Sequence, residues 1–244
     1  AFMYGMIEII IGLMALGFHF GYNLFIHHSL NSVIPSLSSP WELSLYKWIS
    51  ASLLLLIPCI LLGMTFPLIS AALIQQHPHN SGRMLSLCYF TNSIGAAVGV
   101  LASGFLFVYL FGFPGTMMLA GTINILLGLA AIQTSYQLQA TPSLQSNPIT
   151  YQGDTTTYRR YWGLLACAFF TGLASFLYEI GWIRMLSMLL GSSTHAFELM
   201  LSAFILGIAL GGLWIKNRID RYAHPIITLS IIQLVMSILA LSSL

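Results

Sequence analysis

A chain of 244 residues in which 57% are hydrophobic and only 6% are charged is not a soluble globular domain, which carries about a quarter charged residues. Its composition assigns it to the lipid bilayer. The net charge of +2 leaves no basic patch for nucleic acid, and three widely spaced cysteines (Cys59, Cys88, Cys167) offer no disulfide or thiolate framework.

A membrane-crossing helix needs about 20 largely apolar residues, and about seven stretches meet that length. In chain order they are residues 2–20, 43–74, 84–111, 114–134, 161–190, 194–215 and 225–244. Pro58 and Pro67 interrupt the second and predict a bend, because proline removes a helical hydrogen bond. The chain starts and stops inside apolar segments, without an initiating Met, as a window onto a longer polypeptide would.

Loop charges set the orientation. Arg83, Arg159, Arg160, Lys216, Arg218 and Arg221 fall on one side if the spans alternate, and that side is expected to be cytoplasmic. The opposite loops, residues 23–42, 112–113 and 191–193, contain no Lys or Arg, and Lys47 is the one base near that side. Residues 136–159, rich in Ser, Thr, Gln and Pro, read as a cytoplasmic linker between a first membrane half (1–135, four spans) and a second (160–244, three spans). An internal repeat accompanies this division. GMIEIIIGLMAL (5–16) matches SIIQLVMSILAL (230–241), with Glu8 on Gln233 and Ala15 on Ala240. An offset of six spans makes the repeat parallel, as in the two halves of major facilitator transporters. The expected fold is therefore an all-α polytopic bundle with a major-facilitator-like pseudo-repeat.

Small residues at helical spacing, Gly95 with Gly99 and Gly207 with Gly211, predict close helix packing or a face on which a helix slides. Glu8, Tyr89, Asn92, Tyr178, Glu179 and Arg184 are the polar candidates inside spans, where a charge is costly without a partner or a function. Glu179 and Arg184 are about 140° apart around one helix, too far for a good private ion pair. Asn92 and Tyr89 are the expected partners of Glu179, the alternative being solvation at the headgroups. Arg184 is placed to snorkel, and Glu198 falls near the outer surface. His27 with His28, and His77 with His79, have no third ligand at useful spacing, so no metal is expected. No acyl-transfer elbow or other catalytic constellation occurs, and no cofactor site is evident.

Several stretches resemble known membrane regions. GGLWIKNRIDRYAHP (211–225) resembles the loop that major facilitator proteins carry between the second and third helix of each half, which puts Asp220 and Arg221 at its acid and base. There the aspartate pairs with bases and helix ends across the half and holds one conformation; a plain basic loop is the alternative. YEIGWIRMLSMLLGSSTHAFELMLSAFILGIALGG is similar to the opening helices of the membrane region in bacterial fused major-facilitator-like/spermidine synthase proteins. LGMTFPLISAALIQQ, GRMLSLCYFTNSIGAAVGVLASGFLF, FGFPGT and INILLGLAAI look like later helices of one half. Tyr178, Glu179, Gly181, Trp182 and Arg184 look like one family pattern. The resemblance implies a chain running from the third helix of one half to the third helix of the next, in a bacterial inner membrane. It also implies a soluble aminopropyltransferase-like domain acting on a polyamine, whose strand, glycine-rich turn and acids this chain does not supply. The function expected is a non-catalytic membrane domain that anchors or serves a partner domain or complex. The alternatives are a transporter of a small cationic or amphipathic solute and a structural subunit of a larger membrane complex.

Overall fold

The computed structural model describes residues 2–76, 78–139, 155–191, 194–221 and 225–242. Among them are seven α-helices and no strand: α1 (Phe2–His28), α2 (Pro40–Gln76), α3 (Ser81–Ala102), α4 (Val108–Gln139), α5 (Thr155–Leu190), α6 (Thr194–Ile215) and α7 (Pro225–Ser242). Most of the proposed linker lies outside the described residues. Among the described residues, five helical segments are long and apolar enough to cross a membrane: Phe2–Ser36, Pro40–Gln76, Pro78–Gln137, Trp162–Leu190 and Thr194–Ile215. The chain is an all-α membrane protein by this architecture.

The count of five differs from the seven expected for two reasons. The third and fourth expected spans fall in one helical run of 60 residues, Pro78–Gln137. Straight, it would measure about 90 Å, three times the apolar thickness of a bilayer. It is not straight, because Gly112 adopts φ 67°, ψ 179°, a conformation that only glycine takes without strain, two residues before Pro114. The seventh expected span is a shorter apolar helix, Ile226–Ser242. α2 stays helical through Pro58 and Pro67. Its start is a capping box: Glu42 accepts from the backbone N–H groups of Ser38 (3.1 Å) and Ser39 (3.2 Å), while the Ser39 hydroxyl accepts from Trp41 N–H.

Two compact units form, and they do not follow the sequence halves. The first comprises the described parts of Ala1–Gln76 and Phe107–Leu144, hence α1, α2 and α4; the second those of His77–Leu106 and Gln145–Leu244, hence α3, α5, α6 and α7. α3, in the first half by sequence order, packs on α6.

In the first unit α1 and α4 run antiparallel on a glycine seam. Gly5 faces Gly128 and Gly12 faces Gly121. A Cβ on Gly5 would stand 2.6 Å from the Gly128 carbonyl oxygen, and one on Gly12 equally close to that of Gly121. The same four-residue offset recurs on both helices, so Ile125 and Ile132 fold over the α1 glycines and Ile9 over Gly128. The seven-residue spacing keeps this seam in register, as in a coiled coil. In the second unit α6 is antiparallel to α3. The buried residues are Ser86, Ser93 and Ala97 on α3 and Ala196, Met200, Ser202 and Ala209 on α6. The Ser202 hydroxyl donates to the Ala97 carbonyl at 3.3 Å.

The glycine faces predicted for this pair are not at the interface. Among the described residues, no heavy atom beyond the helix's own nearby residues lies within 4 Å of where a Cβ would stand on Gly95, Gly99, Gly207 or Gly211. The helical repeat explains the correction. Gly95 and Gly99 lie two residues either side of Ala97, and Gly207 and Gly211 two either side of Ala209, about 160–200° around from the buried seam. Gly212 is the glycine that meets α3, with its Cβ position 3.4 Å from the Ser86 carbonyl oxygen.

Candidate functional site at the two ends of α3

A carboxylate lies against each end of the α3 segment, and one of them, Asp220, bonds it. At its start, the Asn80 side chain makes no capping hydrogen bond. Asp220, from the turn after α6, does that work instead: one oxygen accepts from Gly82 N–H at 3.1 Å and the other from Arg83 N–H at 3.0 Å. The first N–H groups of a helix have no partner within it and carry the positive end of its dipole, so a carboxylate suits them on both counts. Gly82 leaves the necessary room, since a Cβ there would overlap the Asp220 carboxylate.

At the other end an acid is in contact but, among the described residues, makes no hydrogen bond to α3. α3 passes into a π-helical turn, Ser103–Phe107, and the Glu198 carboxyl group of α6 packs directly against Gly104 within it. Glu198 is held in turn by His195 one turn earlier, with Nδ1 2.9 Å from Oε2. The His195 ring stacks on Phe105, centroids 4.7 Å apart and planes 20° from parallel. Each glycine faces an acid, and both pairs are separated by 22 positions (82 to 104, 198 to 220). Twenty-two helical residues span about 33 Å, close to the ~30 Å apolar thickness of a bilayer. The spacing matches the length of one membrane crossing.

The remaining loop residues surround the Asp220 contact. Arg83, Arg218 and Arg221 are exposed, and Lys216 is half-buried. Arg218 places its guanidinium 4.4 Å from the centre of the Trp214 ring. Asp220 makes no ion pair with a base among the described residues; its carboxylate is given wholly to backbone.

The intramembrane candidates divide. Glu8 is 7% exposed on α1, between the two seam glycines, and bonds the Tyr4 side chain one turn away. Gln233, its match in the internal repeat, donates to the Thr171 hydroxyl of α5 at 2.9 Å. Tyr178 stacks on Trp182, which meets Phe204 of α6 edge-on at 6.3 Å. The aromatic part of the Tyr-Glu-Ile-Gly-Trp pattern is thus packing between α5 and α6. The charged part is not. Glu179 is half-buried and has no hydrogen bond or ion pair among the described residues; neither Asn92 nor Tyr89, both exposed on α3, is its partner. This corrects the expectation of a partner on α3, whose inward side presents Ser86, Ser93 and Ala97 instead. Arg184 is exposed.

Glu198, His195, Gly82 and Gly104 were outside the sequence-derived set of site residues. The signal for them was present as a His-x-x-Glu step at the start of α6, joined to equal 22-residue spacings of glycines and acids. Among the described residues no group of three or more His, Cys, Asp or Glu side chains is placed to hold a metal, and no buried side-chain polar atom lacks a partner.

No protein-family model matches the chain, and neither a curated protein nor a solved structure shows significant similarity to it.

Proposed function

We propose that this chain is a membrane domain that anchors or serves a partner domain or complex, built on a major-facilitator-like pseudo-repeat and resembling the membrane region of fused spermidine synthase-like proteins. The observation that carries the proposal is the Asp220 clamp on the start of α3. In sequence order α3 belongs to the first half and Asp220 to the second. An aspartate of the loop after a half's second helix, seated on a helix end, is the kind of contact that the resemblance implies, and it holds one conformation. Glu198, packed against Gly104, adds a second contact to the same helix pair. An acid committed to a helix end favours a fixed scaffold over a cycle in which that contact breaks. The exposed bases Arg83, Arg218 and Arg221 give the Asp220 end a positive surface, suited to an acidic face of a soluble partner.

Reconstitution tests this. Proteoliposomes containing the purified chain are expected to accumulate labelled spermidine or putrescine no faster than empty vesicles. Protein extracted from its native membrane in mild detergent is expected to migrate with a soluble partner, and to lose it when Arg83, Arg218 and Arg221 are replaced together by Gln. Saturable uptake that Asp220→Asn alters would overturn the anchoring role and favour the transporter.

A further inference from the structure

The last turns of α1 and the first turns of α2 line a half-open cavity of about 420 Å³, within the ~300–1,000 Å³ range of small-ligand sites. Phe18, Tyr22 and Phe25 of α1 face Leu54 and Leu55 of α2, and the lining is almost wholly apolar. One end is pinned. The Ser29 hydroxyl, 3% exposed as a residue, donates to the Phe25 carbonyl at 2.8 Å and lies 2.7 Å from the Tyr46 hydroxyl of α2. Ser29 opens a π-helical turn, Ser29–Val33, and such turns are frequent at functional sites.

Lys47 is the single charged residue in the lining. It is exposed, and no carboxylate among the described residues pairs with it. Trp41 and Trp48, 72% and 77% exposed, flank it along α2, as aromatic residues do at the level of lipid headgroups. Phe18 lies three turns before Ser29, and Leu54 two turns beyond Lys47. The apolar walls therefore run about 10–16 Å from the cationic end into the bilayer.

We propose that this cavity binds one acyl chain of an anionic phospholipid, with the lipid phosphate on the Lys47 ammonium group. The chemistry selects that occupant. A zwitterionic lipid brings its own cation to the lysine, and a cationic solute is repelled by it. A free phosphate covers the lysine and leaves the aromatic walls bare. A peptide brings a row of backbone N–H and C=O groups to a lining with four hydroxyls, on Tyr22, Ser29, Tyr46 and Ser50, of which Ser29 and Tyr46 are already engaged with each other. An acyl chain needs no polar partner along its length, and lysine serves phosphate well as a compact point charge.

The test uses the purified chain in non-ionic detergent, with phosphatidylglycerol and phosphatidylcholine of identical acyl chains, read by native mass spectrometry. One retained phosphatidylglycerol is expected, at about threefold or greater excess over phosphatidylcholine, an excess on the scale of one exposed charge pair. Lys47→Gln should remove the excess, and Ala51→Phe, which fills the cavity and leaves the charge, should remove retention of both lipids. On the unaltered protein, phosphatidylglycerol carrying a diazirine in its acyl chain should label peptides 18–30 and 46–55 above all others. Four results would overturn the proposal: equal retention of the two lipids, retention unmoved by both substitutions, labelling of the apolar surface of α5 equal to that of the cavity, or a second copy of the chain cross-linked at these peptides in place of lipid.

Discussion

Asp220 and Gly82 show how one side chain and one missing side chain make a contact across 138 positions of sequence. Asp220→Ala leaves the first N–H groups of α3 without their acceptor. It is expected to cost about 0.5–2 kcal/mol, the usual worth of a helix cap, and to speed hydrogen exchange at the Gly82 and Arg83 amides. Thermal unfolding in detergent and exchange mass spectrometry read the two effects; unchanged exchange at those amides would remove Asp220 from the cap. Glu179 should behave oppositely. With no partner among the described residues, Glu179→Gln is expected to shift stability by no more than about 0.5 kcal/mol. A larger loss in the same unfolding measurement would reveal a contact that this account omits. The sequence singled out Asp220 through its loop and Glu179 through its apolar surroundings. Only coordinates separate them, because an acid's partner is a matter of distant chain and not of its neighbours.

At the scale of elements, the helices were legible and their contacts were not. Apolar runs located all seven, but α1 continues to His28 and α4 begins at Val108, past the limits of the hydrophobic stretches. Backbone hydrogen bonding does not stop where the bilayer does, so hydrophobicity marks a span's middle better than its ends. The small-residue pattern failed more informatively. It found Gly95 with Gly99 and Gly207 with Gly211, which pack on nothing described, while α3 and α6 meet through Ser86, Ser93, Ala97, Ser202 and Ala209. Spacing identifies a smooth face but does not say whether a neighbour lies against it. Substitution distinguishes the two cases. Gly12→Ala drives a methyl group to within 2.6 Å of the Gly121 carbonyl oxygen and is expected to destabilise by about 1–3 kcal/mol. Gly99→Ala meets open space and is expected to be neutral or to stabilise by up to about 1 kcal/mol, through the lower backbone entropy of alanine. Equal melting shifts for the two would contradict the assignment of α1–α4 as the glycine seam.

For the whole molecule, charge placement and helix ends express one constraint. In a chain with 6% charged residues, Glu42 and Asp220 are received by backbone N–H groups and Glu198 by a histidine, while the loop bases lie in the segments that join spans. The sequence made the membrane class plain from composition alone, while the grouping of α3 with α6 needed the fold, since no local signal reports which span a helix chooses. The central claim is a membrane domain whose basic loops face the cytoplasm and whose α1–α2 connection faces away from it. Sided cysteine labelling tests it most directly. In a background with Cys59, Cys88 and Cys167 replaced by Ala, Ser32→Cys and Asn217→Cys are treated with a membrane-impermeant maleimide, before and after permeabilisation. The account predicts that Ser32→Cys is labelled on intact cells and Asn217→Cys only after permeabilisation. Labelling of both positions from the same side would contradict it.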